Sequence, residues 1–179
     1  KKLNWNVEVD VDWTPEYKGM DPEEFEFENT QWDNHPVYNK MDKETKLDFL
    51  TDLNSWALSQ FLHGEQGALL VASQLASCAP TFNAKLYAAS QTFDEARHVE
   101  AFNKYLQTRI KRTWPIGTAL KGLLDKILTD PRWDLKFIGM QIVIEGLALA
   151  AFNAAKTGTK DPVLFEMLDY IIRDEARHV

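Results

Sequence analysis

The sequence predicts an all-α protein: a four-helix bundle with a long crossover that contains a short extra helix, preceded by an extended N-terminal arm. Three observations predict it. The hexapeptide Asp94-Glu95-Ala96-Arg97-His98-Val99 recurs letter for letter as Asp174-Glu175-Ala176-Arg177-His178-Val179. A further glutamate precedes each copy at the same interval of 30 residues, Glu65 before Glu95 and Glu145 before Glu175. Apolar residues recur around all four at helical period. The chain reads as one internal repeat, a helix with Glu followed by a helix with Glu-x-x-His, twice.

Residues 1–41 form a distinct segment, rich in Asp, Glu, Asn, Pro and Trp. Trp5, Trp13 and Trp32 are too many aromatics for a plain disordered tail. The segment is expected to lie over the bundle as an extended arm with turns at Pro15, Pro22 and Pro36. It serves either for packing or as a docking surface for a partner or second subunit. Val7-Glu8-Val9-Asp10-Val11 alternates like a short strand. Residues 42–179 form the bundle. Asp42 is a good N-cap for a first helix reaching about Ala79, where Pro80 stops it. Gly64 and Gly67 flank Glu65 and point to close helix approach or a local distortion there. Thr81 can cap a second helix running to about Arg112, before Trp114-Pro115-Ile116-Gly117. A short helix over about 117–129 ends at Asp130-Pro131. This insertion makes the interval from Glu95 to Glu145 50 residues rather than 30. The third helix covers about 132–157 and stops at Gly158. The fourth starts at Asp161-Pro162, with Pro in its first turn, and is expected to continue beyond Val179.

With 179 residues, 45% apolar, one domain with a real core is expected. A formal charge of −7 argues against a nucleic-acid surface. The single cysteine, Cys78, reads as a small buried hydrophobe. No signal-peptide pattern is evident, and no apolar run approaches the ~20 residues of a membrane span. Phe137–Phe152 is shorter and interrupted by Gln141 and Glu145. A cytoplasmic location follows as the expectation.

The chemistry lies in the repeat. Residues at i and i+3 share a helix face, so Glu95 with His98, and Glu175 with His178, can each reach one metal ion. A glutamate on an apolar stripe is costly to bury unless paired or metal-bound, which makes Glu65 and Glu145 ligands as well. Two Glu-x-x-His pairs plus two further glutamates form the ligand set of a dinuclear iron or manganese site in a helical bundle. Oxygen-rich ligands suit two Fe ions, or a Mn/Fe pair, better than zinc. His63 is two residues from Glu65 and points away from it; His35 lies in a loop. Ligating imidazoles usually donate their other N–H to a carboxylate. Across the pseudo-twofold, Asp94 is placed to receive His178 and Asp174 to receive His98, with Arg97 and Arg177 pairing with those aspartates. Phe61, Ala68, Leu69, Phe102, Ala148, Leu149 and Phe152 are candidates to line a pocket. Gln91, Gln141 and Ile171 are further candidates.

On these residues, from about 42 onward, the chain resembles the ferritin-like superfamily of diiron-carboxylate proteins, most of all its ribonucleotide reductase small-subunit and oxygenase side. The usual arrangement there implies Glu65 and His98 on one metal, Glu145 and His178 on the other, and Glu95 and Glu175 bridging. Subfamily markers differ. Phe102 stands where the reductase subunits carry a radical tyrosine, and Glu65 where they often have Asp. Leu149 replaces a threonine of the multicomponent monooxygenases, and Ile171 a histidine of the N-oxygenases. The resemblance therefore implies an oxidase or oxygenase using dioxygen on a small organic or acyl substrate. No flavin or nicotinamide fingerprint is present, so electrons would come from an external reductase or ferredoxin. A ferroxidase or iron-handling protein, and a radical-generating small subunit, remain as alternatives. A homodimer is the expected assembly.

Overall fold

Asp42 starts the first helix as a side-chain cap: its Oδ1 accepts from Thr45 N at 2.8 Å. The fold is a computed structural model describing residues 4–19, 32 and 34–178. Its elements are α1 (Lys43–Cys78), α2 (Phe82–Tyr105), α3 (Thr118–Thr129), α4 (Trp133–Phe137), α5 (Glu145–Gly158) and α6 (Pro162–Glu175), with a 3-10 turn at Tyr38–Lys40. Two π-helical segments, Leu106–Ile110 and Ile138–Ile144, continue α2 and join α4 to α5. No strand occurs among the described residues.

Thr81 caps α2 through its Oγ1, which accepts from Ala84 N at 3.2 Å. The π segment after α2 ends at Ile110, two residues short of the expected Arg112, with Lys111 held left-handed at φ 57° as its C-cap. Asp161 caps α6 and takes a bidentate contact from Arg109, with Tyr105 donating to the same carboxylate at 2.6 Å. Arg109 also donates to Pro15 O, so one buried network ties the N-terminal segment, the end of α2 and the start of α6.

Four helical rods meet in one apolar cluster: Leu58 and Leu62 of α1, Phe102 of α2, Phe152 of α5, and Leu168 and Ile171 of α6. Trp5, Val7 and Val11 are buried in the same cluster. A second cluster joins Val71 and Leu75 of α1, Ala88 of α2, Leu124 and Ile127 of α3, and Met140 and Ile144 of the second π segment. Between them along α1, α2 and α5 lie Glu65, Glu95, His98 and Glu145, a buried polar layer. Helix α3 seats close to its neighbours. A Cβ on Gly67 would lie 2.5 Å from Leu124 Cδ2, and one on Gly139 2.9 Å from Ile127 Cδ1. Gly64 has open space instead.

Several expectations need correction. Val7–Val11 is a turn, not a strand: Asn6 Oδ1 accepts from Glu8 N and Val9 N, and Asn6 O from Asp10 N. Val7 and Val11 point inward four residues apart while Val9 is 76% exposed, a helix-like spacing. Cys78 is exposed, because α1 turns Leu75 and Ala79 inward at that end. The turn expected at Pro22 lies outside the described residues. Among the described residues α6 runs to Glu175, and i→i+3 bonds from Arg177 N to Asp174 O and His178 N to Glu175 O place His178 in a turn, which does not bear on the expected continuation beyond Val179. Finally, Trp133–Gly158 is one continuous helical stretch of 26 residues, by length and composition apolar enough to cross a membrane and longer than the run read from sequence. Its polar residues Gln141 and Glu145 face inward, whereas Ile142 and Leu147 are exposed.

Candidate metal centre

Each of the six sequence-predicted ligands comes from a different point of the fold, and the structure gathers them. Glu65 projects from the middle of α1 and Glu95 and His98 from α2. Glu145 is the first residue of α5, directly after the π segment, and Glu175 the last of α6. All six are at most 4% exposed. Burying four carboxylates together without compensation would cost several kcal/mol per ion.

Their ligand atoms form two groups, Glu65–Glu95–His98–Glu175 and Glu95–Glu145–Glu175–His178, with the atoms in each group within 4.8 Å of one another. Glu95 and Glu175 belong to both. The contacts inside the first group show what the arrangement fits. His98 Nδ1 lies 3.2 Å from Glu65 Oε2, 3.3 Å from Glu95 Oε2 and 2.9 Å from Glu175 Oε1. One N–H cannot point along three directions, and Glu95 Oε2 and Glu175 Oε1 are left as buried oxygens with no hydrogen-bond partner. Converging lone pairs around one nitrogen, with orphaned oxygens at the centre, are what a cation would satisfy. The second group repeats it, His178 Nδ1 lying 3.0 Å from Glu175 Oε2 and 3.2 Å from Glu95 Oε1. The donor set, carboxylate-rich with one imidazole per group, suits a hard first-row ion such as iron or manganese.

The far side of each ring is held by the partner copy of the repeat. His98 Nε2 donates to Asp174 Oδ2 at 3.2 Å, and His178 Nε2 to Asp94 Oδ2 at 3.4 Å, the crossed arrangement drawn from the sequence. Arg97 contacts both Asp94 and Asp174, and so does Arg177. With Nε2–H given to a carboxylate, each Nδ1 can present its lone pair to the cluster.

Without a cation, protons hold the charge balance. Burial, then the charge of Glu175, raises Glu65 well above the usual carboxylate range. Burial and a hydrogen bond with Glu175 push Glu145 up to about 12. Glu95 goes the other way: burial opposes its charge, but hydrogen bonds from His178 and His98 hold it below the usual range. Burial also opposes the charge on His178, yet Asp94, Glu175 and Glu95 raise it to about 12. Burial works against ionised Asp174 too, and the donors His98, Trp5 and Arg97 more than offset it.

An amide pair sits beside the carboxylates. Gln91 Nε2 donates to Glu95 Oε1 at 3.0 Å and to Glu145 Oε1 at 2.9 Å, and its carbonyl accepts from Gln141 Nε2. Both glutamines are buried one helical turn before a ligand. Gln91 thereby fixes the outer oxygens of one shared and one terminal carboxylate.

A cavity of about 210 Å³ opens against Glu65 and Glu145. Of the predicted lining, Phe61, Ala68, Ala148 and Phe152 border it. Gln91 and Gln141 do not, being engaged above the carboxylates. Phe102 and Ile171 are fully buried in the core, and Leu69 and Leu149 are half-buried and are not among the residues that border the cavity. Ile138 and Ile142, which the period of a regular α-helix would put on the same side as Glu145, are exposed (53% and 59%). The i→i+5 bonding of the π segment slips the helical phase and turns Met140, Gln141 and Ile144 inward in their place.

Sequence reasoning missed Trp5, Gln60 and Leu123. Trp5 Nε1 donates to Asp174 Oδ2 at 2.6 Å, and its ring stacks on Tyr170 at 5.0 Å with Arg97 over it at 5.6 Å. Only the tryptophan content of the arm hinted at such a role. Gln60 and Leu123 line the cavity; the amphipathic pattern of α3 was the available signal for Leu123. His63 binds Trp114 O and Gln66 and joins neither ligand group.

No protein-family model matches the chain, and neither do any of the curated proteins or solved structures compared with it.

Proposed function

We propose that this chain is a ferritin-like, dinuclear-metal oxidoreductase that activates dioxygen to oxidise a small organic substrate. The observation that carries the reading is the pair of overlapping ligand groups, in which Glu95 and Glu175 are common to both and each group adds one glutamate and one histidine. A reduced iron pair, or a Mn/Fe pair, supplies the electrons that dioxygen accepts. The protein's own residues set the conditions. Glu95 and Glu175 would contribute to both cation sites, and Asp174 and Asp94 keep each imidazole proton on Nε2. The apolar clusters on either side keep water from the layer. An external reductase or ferredoxin restores the electrons after turnover.

The experiment is an anaerobic Fe(II) titration followed by addition of dioxygen. Binding is expected to saturate near two Fe(II) per chain, with stoichiometric oxygen consumption. Glu65→Ala is expected to leave about one strong site, and Glu95→Ala none, because Glu95 serves both groups. Iron uptake continuing far beyond two per chain would make this an iron-handling protein and sink the oxidase reading.

A further inference from the structure

The cavity against Glu65 and Glu145 has a wall, a size and a charge character that together define a ligand. Its walls come from four elements: Phe61 and Ala68 of α1, Leu123 of α3, Ile144 of the second π segment, and Ala148 and Phe152 of α5. The crossover helix α3 is thus one side of the site, locked in place by the seat of Leu124 at Gly67. Among the described residues no Lys, Arg or His lines the cavity, whose polar lining is Gln60, Glu65 and Glu145. The Gln60 amide there already donates to Pro115 O at 3.1 Å and Trp56 O at 3.3 Å, and its carbonyl accepts from Gly117 N. Lys121, on the same helix as Leu123, pairs with Asp125. A carboxylate entering this space would exchange water for a largely apolar wall whose acidic groups are Glu65 and Glu145, which disfavours it relative to a neutral molecule. An apolar cavity of roughly 150 Å³ is known to be large enough for benzene, and this one measures about 210 Å³.

Resting on the oxidase reading above for its chemistry, we infer that the substrate is an uncharged apolar molecule of about the size of one substituted aromatic ring, bound between α3 and α5, with Leu123 and Ala148 as specificity-determining residues. The apolar lining contributed by the described residues favours such a molecule over a free fatty acid or other anion.

The test is binding of toluene and of benzoate to the full chain without metal, followed by calorimetry and ligand-observed NMR, with Mn(II) stoichiometry measured on the same samples. Toluene is expected to bind saturably, one per chain, at least about ten-fold tighter than benzoate. Ala148→Phe fills the space and is expected to abolish toluene binding. Leu123→Arg, at a position 37% exposed and tolerant of a long side chain, is expected to reverse the preference toward benzoate. Retained metal stoichiometry in both variants shows that the centre is intact. Absence of saturable toluene binding, equal binding of benzoate, or indifference to both substitutions would overturn the inference. Failure to load about two metals while toluene still binds would instead count against the oxidase reading alone.

Discussion

Asp174 shows how much one side chain carries at this centre. It accepts from His98 Nε2, Trp5 Nε1 and Arg97, and contacts Arg177. Asparagine has the same shape but no charge and one acceptor fewer. Partners of metal-ligating histidines typically contribute 10–100-fold to metal affinity. Asp174→Asn is therefore expected to weaken metal binding by about that factor while leaving two sites. Trp5→Phe keeps the stack on Tyr170 and removes one donor to a buried carboxylate, so it is expected to lower stability by about 1–3 kcal/mol with a smaller effect on metal. Metal titration and urea denaturation of the two variants separate the roles; equal metal affinity in Asp174→Asn and the parent protein would refute the first. At this scale the candidate ligands were legible because each Glu-x-x-His pair is local and the repeat marks it twice. Trp5 was not, because 169 residues separate it from Asp174 and nothing in a sequence period records such a contact.

Elements were legible where punctuation is chemical. Asp42, Thr81 and Asp161 cap the helices at which they stand. The π segments left no such mark, since a hydrogen-bond slip of one residue changes neither composition nor length, yet it decides that Ile142 is outside and Gln141 inside. The two glycines beside Glu65 look equivalent in sequence and differ in the fold. Gly64 has nothing within 4 Å of an added Cβ, whereas Gly67 meets Leu124 Cδ2 at 2.5 Å and Cγ at 3.1 Å. Gly64→Ala is expected to stabilise the protein by about 0.5–1 kcal/mol through helix propensity. Gly67→Ala gains the same propensity but overpacks a buried leucine at a cost of about 1–3 kcal/mol, for a net destabilisation near 1 kcal/mol. Pairing Gly67→Ala with Leu124→Ala removes the overlap and should bring the two substitutions below additivity in a double-mutant cycle. Urea midpoints that fall for both glycine variants alike would rule out the close seat of α3.

Across the whole molecule, the buried layer couples protons, metal and folding. His178 holds its proton up to about 12 in the folded state against 6.5 ordinarily. Above pH 6.5 the folded chain therefore binds a proton that the unfolded chain has released, and stability falls as pH rises. Glu65 and Glu145 act with the same sign, their raised folded values drawing stability down from about pH 4.5 upward. Asp174 and Glu95 act oppositely, with lowered folded values, so their contribution is lost as pH falls below about 4. The metal-free protein is thus expected to be most stable at about pH 4 to 4.5 and to lose Tm as pH rises from there, more steeply above pH 6.5 where His178 adds to the two glutamates. A bound cation removes the protons that cause the decline, and its own affinity rises with pH because ligands must be deprotonated to bind it. With excess Mn(II), the gap in Tm between loaded and metal-free protein should widen from pH 6 to 9, and loading at pH 7 should release protons measurable with an indicator dye. A metal-free Tm that stays flat over that range would mean that the layer does not hold these protons, and with it that the two histidines and two terminal glutamates do not form a single electrostatic unit.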